Sequence, residues 1–453
     1  MAGSMDRPIP VIGAGLAGSE AALQLADAGY RVQLYEMRPV VPTAAHQSDH
    51  CAELVCSNSL GSKLPDRAGG VLQAELRALD CKLLPLAEAC SVPAGQALAV
   101  DREQFGAHVT AVIEAHPNIE LIRQEVHAIP DDPITIVASG PLTGEDLAAD
   151  IQRLAGAENL AFFDAIAPVV YGESLDRSIV FAASRWDKGT ADYLNVPLDE
   201  AAYELFVDEL LAAEKHDLKG FESADPRAHH FFERCLPIEV LAARGRETLR
   251  FGPMRPVGLD DPRTGRWTHG ILQLRKENTE GTLYNMVGFQ TKLTYGEQKR
   301  VFRLIPGLEN AEFARLGGLH RNTFLNSPKL CDETMRMQAM PRLRFAGQIT
   351  GCEGYVESAA VGLMVGLFTA AEQLGKDVVT PPPTTALGAL LSHLTGGANE
   401  ETFQPMNVNF GLFPPLDTDH LPKKQRPRGR DRKKVVSDRA KADLGGWLDQ
   451  ISV

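Results

Sequence analysis

The sequence predicts an α/β fold: a Rossmann-type dinucleotide-binding domain carrying a large inserted α+β domain. Three observations lead there. Within the first 36 residues a strand, a glycine turn, a helix and a second strand closed by an acid follow one another. Two later apolar runs, at 134–138 and 343–346, also end in glycine turns, so one sheet draws on segments far apart in the chain. Finally, 453 residues exceed the roughly 250–300 at which a single core stops growing.

In chain order, Pro8 to Ile12 is the first apolar run. Gly13, Ala14, Gly15, Leu16, Ala17 and Gly18 follow, then a helical pattern through Ala28 that stops at Gly29. Val32 to Tyr35 forms the second strand, and Glu36 closes it eighteen residues beyond the last glycine. Gly13 permits the tight turn, Gly15 lets a pyrophosphate reach the backbone at the helix N-terminus, and Gly18 lets the helix pack closely on the sheet. Glu36 accepts from ribose hydroxyls and repels a ribose phosphate, which favours FAD or NAD over NADP. Arg38 is grouped with it as a cofactor-binding residue.

Ile134 to Ala138 is a further strand, ended by Ser139 and Gly140. Leu343 to Ala346 is another, followed by Gly347, Gln348, Gly351, Gly354 and Tyr355 at the start of a small-residue helix. The cofactor domain is therefore expected at 7–165 and 311–385, with the insertion at 166–310. Turn signals at Gly252-Pro253 and Asp261 to Arg266 separate three expected antiparallel strands, Thr248 to Phe251, Ile271 to Leu274 and Tyr284 to Phe289. No second GxGxxG occurs, which argues against separate Rossmann domains for FAD and NAD(P)H. Pro381 to Pro383 reads as a linker into a C-terminal segment at 386–453, with a helix from about Ala386 to Leu394. Lys423 to Lys434 packs eight basic residues and one acid into twelve positions: a solvated tail or an arm for a polyanion.

Hydrophobic residues at 44% and charged residues at 23% exclude a disordered or fibrous chain. No run reaches about 18 uncharged apolar residues, and Glu20 and Asp27 interrupt the N-terminal apolar segment, so no membrane span is expected and a cytoplasmic protein is. Met1 to Ser4 reads as an appended leader. Seven cysteines without a CxxC pair suggest neither a disulfide framework nor a metal site. The net charge of −13 argues against nucleic acid, whose phosphates need Lys and Arg.

Longer motifs then resemble a known family. VIGAGLAGSEAA at the N-terminus, AELVCSNSL at 52–60, VPAG at 92–95, DRE at 101–103, FFERCLP at 231–237, FGPMRPVGLDDPRTG, VGFQT at 287–291, IPGLENAEF, HRNTFLNSP and GQITGCEGYVESAAVG are similar to the folate- and FAD-dependent tRNA (uracil-5-)-methyltransferases. The likeness runs in order from residue 8 to about 412. It implies a glutathione-reductase-like FAD domain related to the glucose-inhibited division proteins. It also implies 5,10-methylenetetrahydrofolate as one-carbon donor, reduced FAD as reductant, NAD(P)H to re-reduce the flavin, and 5-methyluridine in the T-loop of tRNA as product. The same chemistry on ribosomal RNA, modification of a tRNA wobble uridine, or a small-molecule flavin oxidoreductase are the alternatives; a monomer is expected.

The family's two functional cysteines fall on Cys56 and Cys235. Uracil C5 is too poor a nucleophile to take a methylene group, and a thiolate adding to C6 creates an enolate whose charge sits at C5. Only roughly 3% of an unperturbed thiol is ionised at pH 7, so the site must supply positive charge or a helix N-terminus. Arg234 precedes Cys235, and Ser57-Asn58-Ser59 after Cys56 favours a turn or helix cap. The second thiol is suited to removing the C5 proton. The site is expected where the two domains meet, with Tyr355 stacking on a ring, and with His46, His50, His320, Arg321 and Asn322 as further folate or flavin contacts. Cys51 stands where the family has an aromatic residue, forming a Cx4C pair open to adventitious oxidation. Truncation after Leu421 is expected to weaken tRNA binding without altering flavin content.

Overall fold

The computed structural model describes residues 7–43, 45–155, 160–187, 190–215, 236–276, 283–396, 403, 405–418, 422 and 425–451. Its central sheet has six strands: β1 (Ile9–Ile12), β2 (Val32–Glu36), β3 (Ile119–Arg123), β4 (Thr135–Val137), β5 (Arg336–Met337) and β6 (Met340–Phe345). The spatial order is β5-β6-β4-β1-β2-β3, parallel except for the short hairpin strand β5. All four residues of β1 are buried, as expected of a strand covered on both faces.

Helix α1 (Leu16–Asp27) lies between this sheet and helix α2 (Tyr355–Gln373), and α1 is buried from Leu16 to Ala26. Small residues make that layer possible. A Cβ at Gly362 would collide with the Ala17 backbone, and one at Gly366 would press on Ala21 and Gln24. The two helices can therefore approach backbone to backbone, which brings the N-terminus of α2 beside the first glycine turn.

Residues 169–315 supply a second, antiparallel sheet of six strands, including Tyr193–Leu198 and Gly270–Lys276. Helix Glu200–Ala212 packs Tyr203 and Phe206 into a core with Phe289 and Phe302. Two antiparallel strands, Leu160–Ile166 and Gly318–Phe324, carry the chain between the two sheets. The sequence expectation fails at Thr248–Phe251, which is one helical turn rather than a strand. Only Leu249 of that turn is buried. A turn at 244–247, with Gly245 at φ +156°, separates it from helix Ile238–Ala243.

Helix Ala386–Leu394 forms where the sequence leads one to expect it, and Glu75 caps it by accepting from the Ala386 and Leu387 amides at 2.7 and 2.8 Å. Lys423 and Lys424 of the C-terminal basic run lie outside the described residues, and the basic residues of its described part are half-exposed or exposed. Arg430 to Lys434 begin helix α3 (Gly429–Ile451), which buries Val436, Ala440, Leu444 and Trp447 against the nucleotide-binding core. Trp447 donates to the Val379 carbonyl at 3.0 Å, and Arg430 pairs with Asp66 at 2.9 Å. Truncation after Leu421 would therefore strip apolar cover from that core as well as removing charge. Among the described residues no helix is long and apolar enough to cross a membrane.

Candidate active site

Gly13 leaves β1 with φ +99°, and a side chain there would meet the Ala138 carbonyl. Gly18 faces the Gly13 carbonyl so closely that a Cβ has no room. Gly15, the N-cap of α1, has nothing within 4 Å of where its Cβ would be, so its backbone stands open to a ligand. The turn at Gly13 and the close packing at Gly18 match what the glycine spacing predicts.

Glu36 is 6% and Arg38 is 3% exposed. One Glu36 carboxylate oxygen accepts from the Ala14 amide at 3.2 Å, and the other accepts from Arg38 Nε at 2.8 Å. Burial alone would raise this carboxyl, but the Arg38 guanidinium outweighs it and holds Glu36 below its ordinary value. Arg38 is itself anchored on Glu53 at 2.8 Å, a partner that the sequence reading did not single out.

These groups surround a cleft of about 1030 Å³, open solvent included. Gly13, Gly15, Leu16, Ala17, Glu36, Arg38, Gly140, Gln348, Tyr355 and His46 line it. The remaining candidates support it from behind. Ala14 contributes its amide to Glu36, Gly347 turns against Ala17, and Gly351 turns against Phe403. Gly354 sets the left-handed start of α2 and faces a second cleft. His50 lies toward Asp49 at 3.8 Å and does not line the first cleft. His320, Arg321 and Asn322 sit on strand Gly318–Phe324, but their side chains lie outside the described residues.

Cys56 is half-buried on the loop before strand Ser59–Ser62. Of the turn or helix cap expected after it, the structure has bends at Cys56 and Asn58 that lead into that strand. Its amide donates to the Tyr355 hydroxyl at 2.7 Å, and the Ser57 amide does so at 3.1 Å. Burial pushes the Tyr355 hydroxyl well above its usual range, so it serves here as a neutral acceptor. Arg315 donates to the carbonyls of Val55 at 2.8 Å and Cys56 at 3.3 Å, bringing a cation to the loop. Fully buried Asn58 accepts from Arg275 at 2.9 Å and donates to the Lys276 carbonyl at 2.7 Å, which ties the loop to the antiparallel sheet. Arg315 and Arg275 had no sequence signal, since their partners lie more than 200 residues away. Cys235 lies outside the described residues. Cys51 is fully buried and its thiol is pushed up to about 11 by burial, which makes it a poor partner for oxidation with Cys56.

The family profile "Glucose inhibited division protein A" matches residues 8–377. The chain is 57% identical over 446 residues to the methylenetetrahydrofolate--tRNA-(uracil-5-)-methyltransferase TrmFO of Rhizorhabdus wittichii, covering 98% of this chain and 99% of that protein. It is 57% identical over 454 residues to the protein of the same name from Rhodospirillum rubrum, covering 98% and 93%. Among solved structures, Aquifex aeolicus GidA in two crystal forms superposes with TM-scores of 0.68 and 0.66 at 17% and 16% identity, over 97% and 99% of this chain and 76% and 77% of that one. That likeness is one of fold. With identity of this extent along its whole length, the chain belongs to the TrmFO methylenetetrahydrofolate--tRNA-(uracil-5-)-methyltransferase family, within the wider glucose inhibited division protein A family.

Proposed function

We propose that this protein methylates C5 of a uridine in the T-loop of tRNA, with 5,10-methylenetetrahydrofolate as one-carbon donor and FAD, re-reduced by NAD(P)H, as reductant. The 57% identity across 98% of the chain to relatives that bear this activity in their name carries the reading. The open backbone at Gly15 and the buried, ionised Glu36 fit the dinucleotide, its pyrophosphate at the α1 N-terminus and its ribose on the carboxylate. When bound, the flavin supplies electrons to the one-carbon unit.

The chain's own residues do the rest. One of Cys56 and Cys235 adds to C6 of the extruded uracil and the other takes the C5 proton. Tyr355 and Arg315 hold the Cys56 loop at the cleft through its amides and carbonyls. The working division is a cofactor part at 7–165 and 311–385, an insertion at 166–310 and a C-terminal segment at 386–453. A tRNA substrate is in keeping with a cytoplasmic enzyme, and the working reading of its assembly is a monomer. The test is incubation of the flavin-loaded protein with unmodified tRNA, methylenetetrahydrofolate and NADPH. Mass spectrometry should find 5-methyluridine, and a blank result removes the reading. Cys56→Ala should keep the flavin and lose turnover.

A further inference from the structure

Tyr355 lines two clefts. Beyond the cofactor cleft lies a second, of about 1140 Å³ with open solvent, which the proposed reaction does not use. Strand Ser59–Ser62, reached directly from Cys56, forms one wall, and helix Ala68–Ala78 begins another. No side chain caps that helix and no acid stands in its first turn.

This cleft is lined by one carboxylate, the buried Glu357 that accepts from the Val408 amide at 3.1 Å, and by two cations: exposed Arg67, at the helix start, and half-exposed Lys433, from α3. Neither has an ion-pair partner among the described residues, whereas the neighbouring Arg430 and Lys434 are paired with Asp66 and Asp438. From the cleft the positive charge continues along α3 and its approach: residues 426–434 carry six basic side chains and one acid. A lone small anion needs one such cation. A row of them, leading from a surface helix to the loop that holds Cys56, fits a chain of regularly spaced negative charges.

We propose that this second cleft and the basic start of α3 form a surface for an RNA backbone, with Arg67 and Lys433 holding phosphates next to the Cys56 loop. The inference rests on the proposed tRNA activity and names where the RNA lies. Each phosphate neutralised contributes roughly −0.7 to −0.9 to the slope of log affinity against log salt.

The experiment uses the full-length, flavin-loaded protein and an unmodified tRNA transcript, titrated over a salt series. Arg67→Glu with Lys433→Glu should weaken binding by about tenfold at low salt and flatten the salt slope by about 1.5. The KM for tRNA should rise, with flavin content and the KM for methylenetetrahydrofolate unchanged. Arg67→Lys with Lys433→Arg should restore the slope. If the double reversal loses flavin, Arg67→Ala and Lys433→Ala singly carry the same test, each flattening the slope by about 0.7. An unchanged slope in a protein whose wild type binds tRNA overturns the inference alone. A rise confined to the KM for methylenetetrahydrofolate overturns it by giving the cleft to the folate carboxylates. If the wild type fails to bind tRNA, the proposed function falls and the inference with it.

Discussion

The Tyr355 hydroxyl accepts from two consecutive amides, and a phenylalanine there leaves both donors without that acceptor. Each orphaned amide costs about 1–3 kcal/mol when buried, so the Cys56 loop should shift. Tyr355→Phe is expected to keep its flavin while turnover falls about 10- to 100-fold, the scale of a misplaced reacting group. Wild-type turnover in a single-turnover assay would mean that the loop is held elsewhere. The glycine turn offers a sharper contrast. Gly18→Ala drives a methyl into the Gly13 carbonyl, so soluble folded protein should be lost. Gly15→Ala meets no protein atom and its φ is −70°, so the melting temperature of flavin-free protein should hold while flavin affinity drops about tenfold or more. At this scale the sequence was readable wherever function is local. The turn at Gly13 and the close approach at Gly18 are legible from spacing alone, as is the place of Glu36 at the end of β2. Arg315, Arg275 and Glu53 were not readable, because each acts through a partner that only the fold supplies.

Helix Ala386–Leu394 rests on one buried carboxyl. Burial pushes Glu75 up to about 7 from an ordinary 4.5, against the two amides that favour its charge. The folded state therefore holds a proton that the unfolded chain has lost between those values. Stability falls as pH rises from about 4.5 to about 7 and levels off above. Glu75→Gln should remove up to about 3 kcal/mol of that slope. Parallel denaturant titrations of both proteins from pH 5 to 8 would read it, and identical slopes would refute it. Helix α3 gives a second prediction. Trp447→Ala empties a site that is 2% exposed and should cost about 3–5 kcal/mol, with the basic residues untouched. In α3 the charges at 423–434 dominate the sequence signal, while the apolar residues spaced behind them, at 436, 440, 444 and 447, form the buried face. Thr248–Phe251 differs from its expected strand because four residues are too few for periodicity to tell a strand from a helical turn.

The sign of the whole molecule's charge says little about the surface that the proposed RNA would meet. A net −13 averages over a surface whose C-terminal run alone holds +7, and what an RNA meets is the local field. The overall plan, one sheet completed by distant segments around an insertion, was visible because strands that end in glycine turns announce themselves locally. How the insertion docks was not, since Asn58 meets Arg275 across 217 positions. The closing of the central sheet has a consequence for the chain's birth. Residues of β4 wait for β6, which follows about 200 positions later. At the ribosome's pace of roughly 5–20 residues per second, the open edge persists for about 10–40 s, while the intervening segment is made and can fold on its own. During that interval the nascent protein carries an exposed apolar strand that a chaperone or a neighbouring copy can pair with. The vulnerable moment for this enzyme is then its synthesis, before the late small-residue helix has arrived to shut the layer.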